Sequence, residues 1–469
     1  MANYLYIFPS VEIIEYRMAL KQIFILQAPK QQIENRALGG QSYEINEIAT
    51  EILSQFNGTK TYENIVDIFS KKYSESYNDV DIKIKELLTP LIKQYGFEIK
   101  KQDKPILHEI KIQKYSNVYP TVVSVELTDR CNVRCKHCYG NFCIEKANYI
   151  PKTKLVDIFK SMKDIGVLTV ELTGGDPSVY PYTSETIEIA FDVGIQSVML
   201  LTNGISLSEK LINTIVKYKD KMFVQIDLHS LDNNYYDWFT GSKGNLDYVK
   251  KNIDILVSKG VQVRTCSIIT PKNYHEVEDI GEWSYKHGAK FYATSPVVEI
   301  GRAVSKSLNS DLMFTNPEEL EDYLKHYDEV SKRHPGFIRG KSKKEKTNKN
   351  CGALTSQCSI KSNGDIKLCA MDTGEYFNLK LGNILEDSMK EIYDKNYDFL
   401  NALMELDLPR KESASCKDCK YALFCDSCLL RGFLRAQDIN KNCNWYNTCI
   451  PNIVKERLCV KKEDILSAN

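Results

Sequence analysis

The feature that most constrains the fold of this chain is a regular alternation of strand-like and helix-like segments between residues 121 and 334. Short β-branched runs alternate with stretches whose apolar residues have helical spacing. This alternation predicts parallel strands joined by crossover helices, in the α/β class. The six predicted strands are residues 122–127, 169–172, 197–201, 223–228, 261–269 and 291–295. They predict a partial (β/α)6 TIM-like barrel, with functional residues on the loops after the C-terminal strand ends.

Size and charge narrow the class of protein. A chain of 469 residues is expected to hold two or three domains, and 43% apolar with 26% charged residues is an ordinary globular composition. The 62 basic and 62 acidic side chains cancel, so no long-range field draws nucleic acid or anionic lipid to the chain. The sequence shows neither a secretory leader nor an apolar run long enough for a membrane span. It predicts a cytoplasmic protein without nucleic-acid or membrane partners.

Fifteen cysteines are unusual for such a protein. None precedes Cys131, and nine lie in the segment that begins with Cys351 and ends with Cys449. Tight clusters of cysteine in a large cytoplasmic chain favour metal ligation over disulfide bonds.

Three of these cysteines, Cys131, Cys135 and Cys138, have the spacing CxxxCxxC and directly follow the first predicted strand. They therefore lie on a loop at the functional end of the barrel. Three thiolates can hold three irons of a 4Fe-4S cubane and leave the fourth iron open to a small molecule. The alternatives are a zinc site completed by His137 and three incidental structural cysteines.

The motif resembles the cluster loop of the radical S-adenosylmethionine (SAM) superfamily. The resemblance implies that SAM chelates the open iron and that one electron splits it into methionine and a 5'-deoxyadenosyl radical. The run Leu-Thr-Gly-Gly-Asp-Pro at residues 172–177 matches the segment that receives the methionine amino group, where glycine lets a backbone carbonyl approach the ligand. The cofactor-binding residues predicted from the resemblance are Tyr139, near adenine, and Gly174, Gly175, Asp176 and Asn203.

Some positions depart from the pattern or allow a second interpretation. Asn203 is also a good turn former before a glycine. Related enzymes commonly have Ser-Leu-Asp where this chain has Asp-Leu-His at residues 227–229, and an arginine before the glycine at Thr240-Gly241. The SAM carboxylate is therefore expected to be held differently here. His229 is either a proton carrier or a hydrogen-bonded structural histidine. The sequence assigns no catalytic side chain.

A second array of cysteines fills the C-terminal region. Asn363-Gly364 predicts a hairpin with Cys369 on the returning strand. The array resembles the SPASM extension of peptide-modifying radical SAM enzymes, which implies two auxiliary 4Fe-4S clusters and three clusters in all. The implied ligands are Cys351, Cys358, Cys369 and Cys428 for the first auxiliary cluster, and Cys416, Cys419, Cys425 and Cys443 for the second.

Several alternatives for this array remain open. A zinc ion could instead be bound by the paired CxxC elements between Cys416 and Cys428. Two residues separate the last two cysteines of this group, where the usual pattern has three. Cys449 could replace Cys443 as the closing ligand. Among the unassigned cysteines Cys143, Cys266, Cys449 and Cys459, Cys266 is most simply a small buried apolar residue on a strand.

The N-terminal region has a strand-like segment at residues 22–27 followed by three amphipathic helical patterns, which predict a small winged helix-turn-helix-like domain. Residues 43–97 resemble the recognition element of ribosomally made, post-translationally modified peptides (RiPPs). The resemblance implies that a precursor's leader pairs as an added strand. The competing interpretation is a DNA-binding winged helix, for which Glu63 and Asp67 make a poor phosphate-binding surface. The apolar stripes are Ile45, Ile48, Ile52 and Phe56; Ile65, Ile68 and Phe69; and Ile84, Leu87, Leu88, Leu91 and Tyr95.

These features predict a RiPP recognition element at residues 1–105, a radical SAM barrel at 118–335 and a SPASM iron-sulfur domain at 350–460, with a lysine-rich linker at 341–349. In layout the chain resembles subtilosin-type sactisynthases. This resemblance implies formation of cysteine sulfur-to-carbon thioethers in a precursor peptide, with an electron donor such as flavodoxin or ferredoxin. The alternatives are a carbon-carbon crosslink, epimerisation, sulfatase maturation, or a redox-sensing DNA-binding regulator.

Overall fold

The structure is a computed structural model with two compact units, Met1–Val118 and Tyr119–Asn469. It describes residues 3–7, 11–15, 21–25, 42–95, 98–108, 110–114, 117–140, 142, 147–304, 309–314, 316–338, 351–438 and 442–459. Cys143 and the predicted linker at 341–349 lie outside the described residues.

The described part of the first unit has two small sheets and three helices. Its elements are β1 (Tyr4–Ile7), β2 (Val11–Glu15), β3 (Lys21–Ile25), β4 (Ser42–Ile45), α1 (Glu47–Ser54), β5 (Asn57–Thr61), α2 (Tyr62–Tyr73), α3 (Tyr77–Tyr95), β6 (Ile99–Gln102) and β7 (Lys111–Lys114). One sheet has the order β5-β1-β6 and the other β4-β3-β2-β7. All neighbouring strands are antiparallel except β2 and β7.

The three predicted helical patterns of this unit are helices. Asn46 caps α1 by accepting the Ala49 N–H at 2.8 Å, which satisfies a backbone donor that the helix leaves free. Most of the predicted stripe residues are buried in one apolar core. The stripes were wrong at Ile48 and Ile68, which are 46% and 37% exposed. The winged helix-turn-helix-like class of the unit stays a prediction.

The second unit begins with alternating strands and helices and ends in a mostly helical segment. Its strands are β8 (Val122–Thr128), β9 (Thr169–Gly174), β10 (Ser197–Thr202), β11 (Met222–Asp227), β12 (Gln262–Ile269), β13 (Phe291–Pro296), β14 (Gln357–Ile360) and β15 (Ile366–Lys367). Its first helices are α4 (Leu155–Asp164), α5 (Thr183–Val193), α6 (Glu209–Lys217), α7 (Asn233–Thr240), α8 (Leu246–Ser258), α9 (Val277–Lys286), α10 (Asn309–Leu312) and α11 (Pro317–Arg333). The later helices are α12 (Met389–Lys395), α13 (Tyr397–Met404), α14 (Ala422–Cys425), α15 (Leu429–Asp438), α16 (Asn444–Cys449) and α17 (Asn452–Arg457).

The six predicted barrel strands are confirmed as β8 to β13. They lie side by side in chain order, and every neighbouring pair is parallel. Burial alternates along β12, so that Arg264, Cys266 and Ile268 are only partly covered while the residues between them pack under helices. Because parallel strands end at the same edge, the loops after β8 to β13 meet at one side of the sheet.

The C-terminal segment extends this sheet. β14 pairs in parallel with β8, and β15 pairs antiparallel with β14, so the sheet has the order β13-β12-β11-β10-β9-β8-β14-β15. The predicted hairpin turn is present, with Gly364 at φ +91°. Cys369 lies two residues beyond β15 instead of on the returning strand. The added hairpin covers the β8 edge, which would otherwise expose unpaired backbone groups.

The outer helices bury the stripes that their spacing predicts. In α4 the buried residues are Leu155, Ile158, Phe159 and Met162, and in α8 they are Leu246, Val249, Ile253 and Leu256.

Truncation of Phe159, which is fully buried, to alanine is expected to lower the free energy of unfolding by about 3–5 kcal/mol, because it removes contacts and leaves a cavity. Val156 on the same helix is 38% exposed, and its change to alanine is expected to cost less than about 0.5 kcal/mol. Urea denaturation of the two variants provides the measurement. Equal losses would contradict the predicted packing of α4.

Candidate active site

The cysteine loop, residues 129–140, follows β8 at the C-terminal edge of the sheet. Its backbone is held by the end of α7. The Arg134 N–H donates to the Thr240 carbonyl and the Lys136 N–H to the Phe239 carbonyl, each at 2.9 Å. Carbonyls in the last turn of a helix have no partner within that helix. The end of α7 therefore supplies ready acceptors that set the path of the loop.

Arg302, in the loop after β13, fixes the other side of the cysteine loop. Its Nε donates to the Cys135 carbonyl at 2.8 Å, and its Nη1 donates to the Phe142 carbonyl at 3.0 Å. Its backbone N–H donates to the Cys138 carbonyl at 3.0 Å. Gly301 lies so close that a Cβ there would come within 2.3 Å of the Cys138 carbonyl oxygen. The sequence analysis missed both Gly301 and Arg302.

The three thiols of the loop are buried or half-buried and electrostatically coupled. Burial, followed by the negative charge of Asp176, raises the pKa of the Cys131 thiol to about 12. Burial and the neighbouring Cys138 and Cys131 thiols raise the pKa of Cys135 well above its usual value, and Arg302 opposes this effect. Cationic irons would offset both effects by stabilising the thiolates, so this donor set fits an iron-sulfur cluster.

Within the described residues, no three His, Cys, Asp or Glu side chains converge closely enough to hold a single metal ion. The ligands of a cubane each bind a different iron and need not converge on one point.

The glycine pair after β9 lies directly against the start of the cysteine loop. Gly174 has φ +129°, and a Cβ there would lie 2.2 Å from the Thr128 carbonyl oxygen. A Cβ on Gly175 would lie 2.0 Å from the Arg130 carbonyl oxygen. The pair is therefore required for backbone packing beside Cys131, in addition to the ligand approach expected from the sequence.

Asp176 joins the loops after β9 and β10. Its carboxylate is 1% exposed and accepts hydrogen bonds from the Ser178 N–H at 2.8 Å, the Thr202 hydroxyl at 2.9 Å and the Asn203 N–H at 2.7 Å. Burial raises the pKa of Asp176, and these hydrogen bonds oppose the rise. The carboxylate thus fixes the edge of the predicted SAM pocket.

Asn203 serves both as a turn residue and as a link to the cysteine loop. Its Oδ1 accepts from the Ile205 N–H at 3.0 Å, and its Nδ2 donates to Asn132 Oδ1 at 2.7 Å. Asn132 in turn donates to the Ser206 hydroxyl at 3.1 Å. The turn interpretation of Asn203 is correct, and its contact with SAM stays a prediction.

Tyr139, directly after the third cysteine, is held by two charged residues. Its hydroxyl donates to Glu126 Oε1 at 3.2 Å, and the Lys367 ammonium lies 4.8 Å from the centre of its ring. Its ring also packs edge-on against Phe142 at 5.5 Å between centroids. Glu126 lies on β8 and Lys367 on β15. The predicted adenine-side aromatic is therefore positioned partly by the C-terminal segment.

The Asp-Leu-His segment that departs from the usual pattern, residues 227–229, lies at the end of β11, at the same edge of the sheet as the cysteine loop. Burial raises the pKa of Asp227 to about 7 and lowers that of His229 to about 3, which keeps the imidazole neutral. His229 Nδ1 accepts from the Ile268 N–H at 3.2 Å. The ring of His137 stacks on Phe239 at 4.5 Å, and its Nδ1 is buried without a hydrogen-bond partner. Because the His229 imidazole is neutral and accepts a backbone hydrogen bond, the structural interpretation of His229 is favoured.

Three of the predicted ligands of the first auxiliary cluster approach one another. The thiol of Cys428 raises the pKa of both Cys351 and Cys369, although burial is the larger cause in each case. Cys358 lies on β14, where burial raises its pKa to about 12 and the thiol makes a hydrogen bond with Tyr393.

The predicted ligands of the second auxiliary cluster also lie together. Cys443 and Cys419 raise the pKa of Cys425, after the larger effect of burial. Cys416 and Cys419 do the same for Cys443. Cys443 therefore lies near Cys416, Cys419 and Cys425, and the choice between Cys443 and Cys449 as the closing ligand stays a prediction. Cys428 faces Cys351 and Cys369, so the two groups interlock.

The residues that the sequence analysis missed left weak signals. Glu126 is the one charged residue of strand β8, and Arg302 follows a glycine that lies five residues beyond the last barrel strand. An isolated acid in a buried strand is unusual without a partner. Its partner, however, is a lysine 241 residues away.

The comparison with protein families identifies the class. Residues 125–283 match the radical SAM superfamily, and residues 351–420 match the SPASM iron-sulfur cluster-binding domain. The chain therefore contains a radical SAM domain followed by a C-terminal SPASM domain, and these domains indicate SAM and 4Fe-4S clusters as cofactors. Every helix in the described parts of the chain is too short or too polar to cross a bilayer.

Two individual proteins are similar to this chain over most of its length. The chain is 28% identical to AlbA of Bacillus subtilis, the antilisterial bacteriocin subtilosin biosynthesis protein, over 86% of this chain and 88% of AlbA. It is 23% identical to the AdoMet-dependent heme synthase of Nitratidesulfovibrio vulgaris, over 68% of this chain and 89% of the synthase.

Solved structures of SuiB from Streptococcus suis show the same fold. With S-adenosylmethionine bound, SuiB has a TM-score of 0.62 at 14% identity, over 96% of this chain and 100% of SuiB. With the precursor peptide SuiA bound, the TM-score is 0.58 at 15% identity, over 92% of this chain and 97% of SuiB.

Proposed function

We propose that this enzyme joins a cysteine sulfur to a carbon atom within a ribosomally made precursor peptide. The supporting observation is the extent of the similarity to AlbA, a protein of bacteriocin biosynthesis. Its alignment covers 86% of the chain. The second unit, residues 119–469, makes up a smaller share of the chain than that, so the alignment must reach into the first unit. The heme synthase alignment, at 68%, does not require the first unit. The shared part of the first unit therefore favours a peptide substrate.

In this proposal the first unit binds the leader of the precursor. SuiB, which has the same fold, has been solved with its precursor peptide SuiA. The surface of α2 is poorly suited to nucleic acid because Lys71 is paired with Asp67 at 2.6 Å and Lys72 is paired with Glu51. Paired lysines are less available to bind phosphate.

Three groups of cysteines would hold three 4Fe-4S clusters, of which the first binds SAM. When bound and reduced by a donor such as flavodoxin or ferredoxin, that cluster and SAM supply the 5'-deoxyadenosyl radical that takes a hydrogen atom from the peptide. Formation of the new sulfur-carbon bond would release the thiol proton to water and one electron, and a cluster held by the C-terminal cysteines would be able to take up that electron. In this scheme the role of Asp176 is to position SAM, and that of Arg302 is to keep the cluster loop in place.

The test is anaerobic co-expression with short cysteine-containing peptides encoded nearby, followed by mass spectrometry before and after thiol alkylation. The expected product has lost two hydrogens and one alkylatable thiol per crosslink. The matched control is the variant with alanine at Cys131, Cys135 and Cys138, which is expected to leave the peptide unchanged.

Other outcomes separate the alternatives. Loss of two hydrogens with every thiol still alkylated would indicate a carbon-carbon crosslink and overturn the thioether proposal. A stereochemical change without a mass change would indicate epimerisation. An unmodified peptide, from enzyme that cleaves SAM and binds that peptide, would contradict peptide crosslinking.

A further inference from the structure

The strongest unexplained feature of the second unit is a buried ion pair. Lys367 Nζ contacts Glu126 Oε1, and the two side chains are only 2% and 6% exposed. Glu126 lies on the first barrel strand and Lys367 on the hairpin added by the C-terminal segment. The pair thus joins two parts of the chain that match different domain families.

A buried ion pair is poor evidence of a stabilising role. Removing two charges from water costs several kcal/mol for each ion, and well-packed apolar residues often give equal or greater stability. The placement of the charges therefore has to be explained by what they contact.

The contacts of Lys367 fix the turn that carries Cys369. Besides Glu126, its ammonium donates to the Asp372 carbonyl at 2.8 Å and to the Ala370 carbonyl at 3.2 Å. The Asp372 carboxylate closes the same turn by accepting the Leu368 N–H at 3.1 Å. A full positive charge is therefore held two residues from a predicted ligand of the first auxiliary cluster.

The same ammonium also contacts the cysteine loop that is predicted to hold the SAM-binding cluster. It lies 4.8 Å from the centre of the Tyr139 ring, a distance at which a cation is attracted to an aromatic face. The Tyr139 hydroxyl donates to Glu126, and Tyr139 directly follows Cys138. Lys367 and Glu126 together bridge the cysteine loop and the Cys369 turn.

We propose that Lys367 is a positioning residue that links the two cluster loops and whose buried charge raises the reduction potential of the cluster bound by Cys369. The inference rests on the auxiliary cluster of the proposed function but not on the bond formed in the peptide.

The sign of the effect follows from electrostatics. Reduction adds negative charge to a cluster, so a nearby cation favours the reduced form and a nearby anion disfavours it. Burial strengthens both effects because little water screens the charges. Removing the Glu126 charge alone is expected to favour reduction.

The test compares Glu126→Gln with the double variant Glu126→Gln/Lys367→Met, both in a background with alanine at Cys131, Cys135 and Cys138. This background removes the SAM-cluster signal, and Cys369→Ala assigns the signal of interest. EPR-monitored redox titration measures the potential. Lys380, an exposed lysine of the same segment, provides the control Lys380→Met.

For Glu126→Gln, the ratio of reduced to oxidised cluster at a fixed potential is expected to rise several-fold, up to about tenfold. In the double variant the ratio is expected to return to the parent value or to fall below it. Lys380→Met is expected to leave the ratio unchanged. If the ion pair were only structural, the two Glu126 variants would shift the ratio of reduced to oxidised cluster in the same direction, or would lose the cluster to the same extent.

Either of those results, or the absence of a Cys369-dependent signal, would overturn the inference. Because the readout is a potential and no peptide is present, failure of the thioether proposal would leave this result unaffected.

Discussion

Replacing Gly301 with alanine is expected to abolish iron binding at Cys131, Cys135 and Cys138, and with it all cleavage of SAM. A Cβ at this position would lie 2.3 Å from the Cys138 carbonyl oxygen and 2.4 Å from that of Tyr139. Both atoms are backbone, so the loop itself must move, and the φ of +55° adds strain. Iron and sulfide content after anaerobic reconstitution, together with release of 5'-deoxyadenosine, measures the effect.

Gly244→Ala is the matched control for this substitution. Gly244 also has a positive φ, of +70°, but a Cβ there meets nothing within 4 Å. Its replacement is expected to cost about 1–2 kcal/mol of stability and to leave the iron content unchanged. Normal iron content and SAM cleavage in Gly301→Ala would show that the loop after β13 does not support the cluster loop.

Replacing Asp176 with alanine is expected to weaken SAM binding by at least about a hundredfold, which corresponds to about 2.7 kcal/mol. The substitution leaves buried donors of Thr202 and Asn203 without their acceptor, and each unsatisfied group costs about 1–3 kcal/mol. The loop after β10 is then expected to leave the position that forms the pocket edge. Equilibrium binding of SAM to the reconstituted enzyme provides the measurement.

Two further variants make this result interpretable. Asp232 caps α7 by accepting the Tyr235 N–H at 2.7 Å, and Asp232→Ala is expected to cost about 1 kcal/mol of stability without a change in SAM affinity. Asp176→Asn keeps one acceptor oxygen and is expected to give an intermediate affinity. If Asp176→Ala bound SAM normally, the carboxylate would be a structural link without influence on the pocket.

The barrel could be predicted because its determinants are local. Each strand is a short stretch rich in β-branched, aromatic or other apolar residues, and each helix carries its own buried stripe, as Phe159 and Val249 illustrate. The errors at Ile48 and Ile68 have a physical cause, since both residues lie at the margin of a stripe, where the sequence does not show how wide the covered face is. Burial is decided by the neighbouring elements and not by the helix alone.

The site was predicted less completely because its supports come from distant parts of the chain. The cluster of cysteines is visible along the sequence, and the resemblance to known enzymes supplied the expected SAM contacts. Arg302, however, acts on the carbonyls of Cys135 and Phe142. Such backbone contacts leave no pattern in the sequence. Lys367 likewise looks like a surface lysine until the added hairpin buries it.

The hairpin also has a consequence for how the enzyme is made. The edge of β8 is completed by β14, and Glu126 meets its partner only 241 residues later in the chain. At a synthesis rate of about 5–20 residues per second, that delay is on the order of ten seconds to a minute. Throughout this interval the backbone groups at one edge of β8 have no partner strand, and Glu126 has no partner lysine. Ribosome-bound chains stopped before residue 357 are thus the stage at which chaperones are most needed.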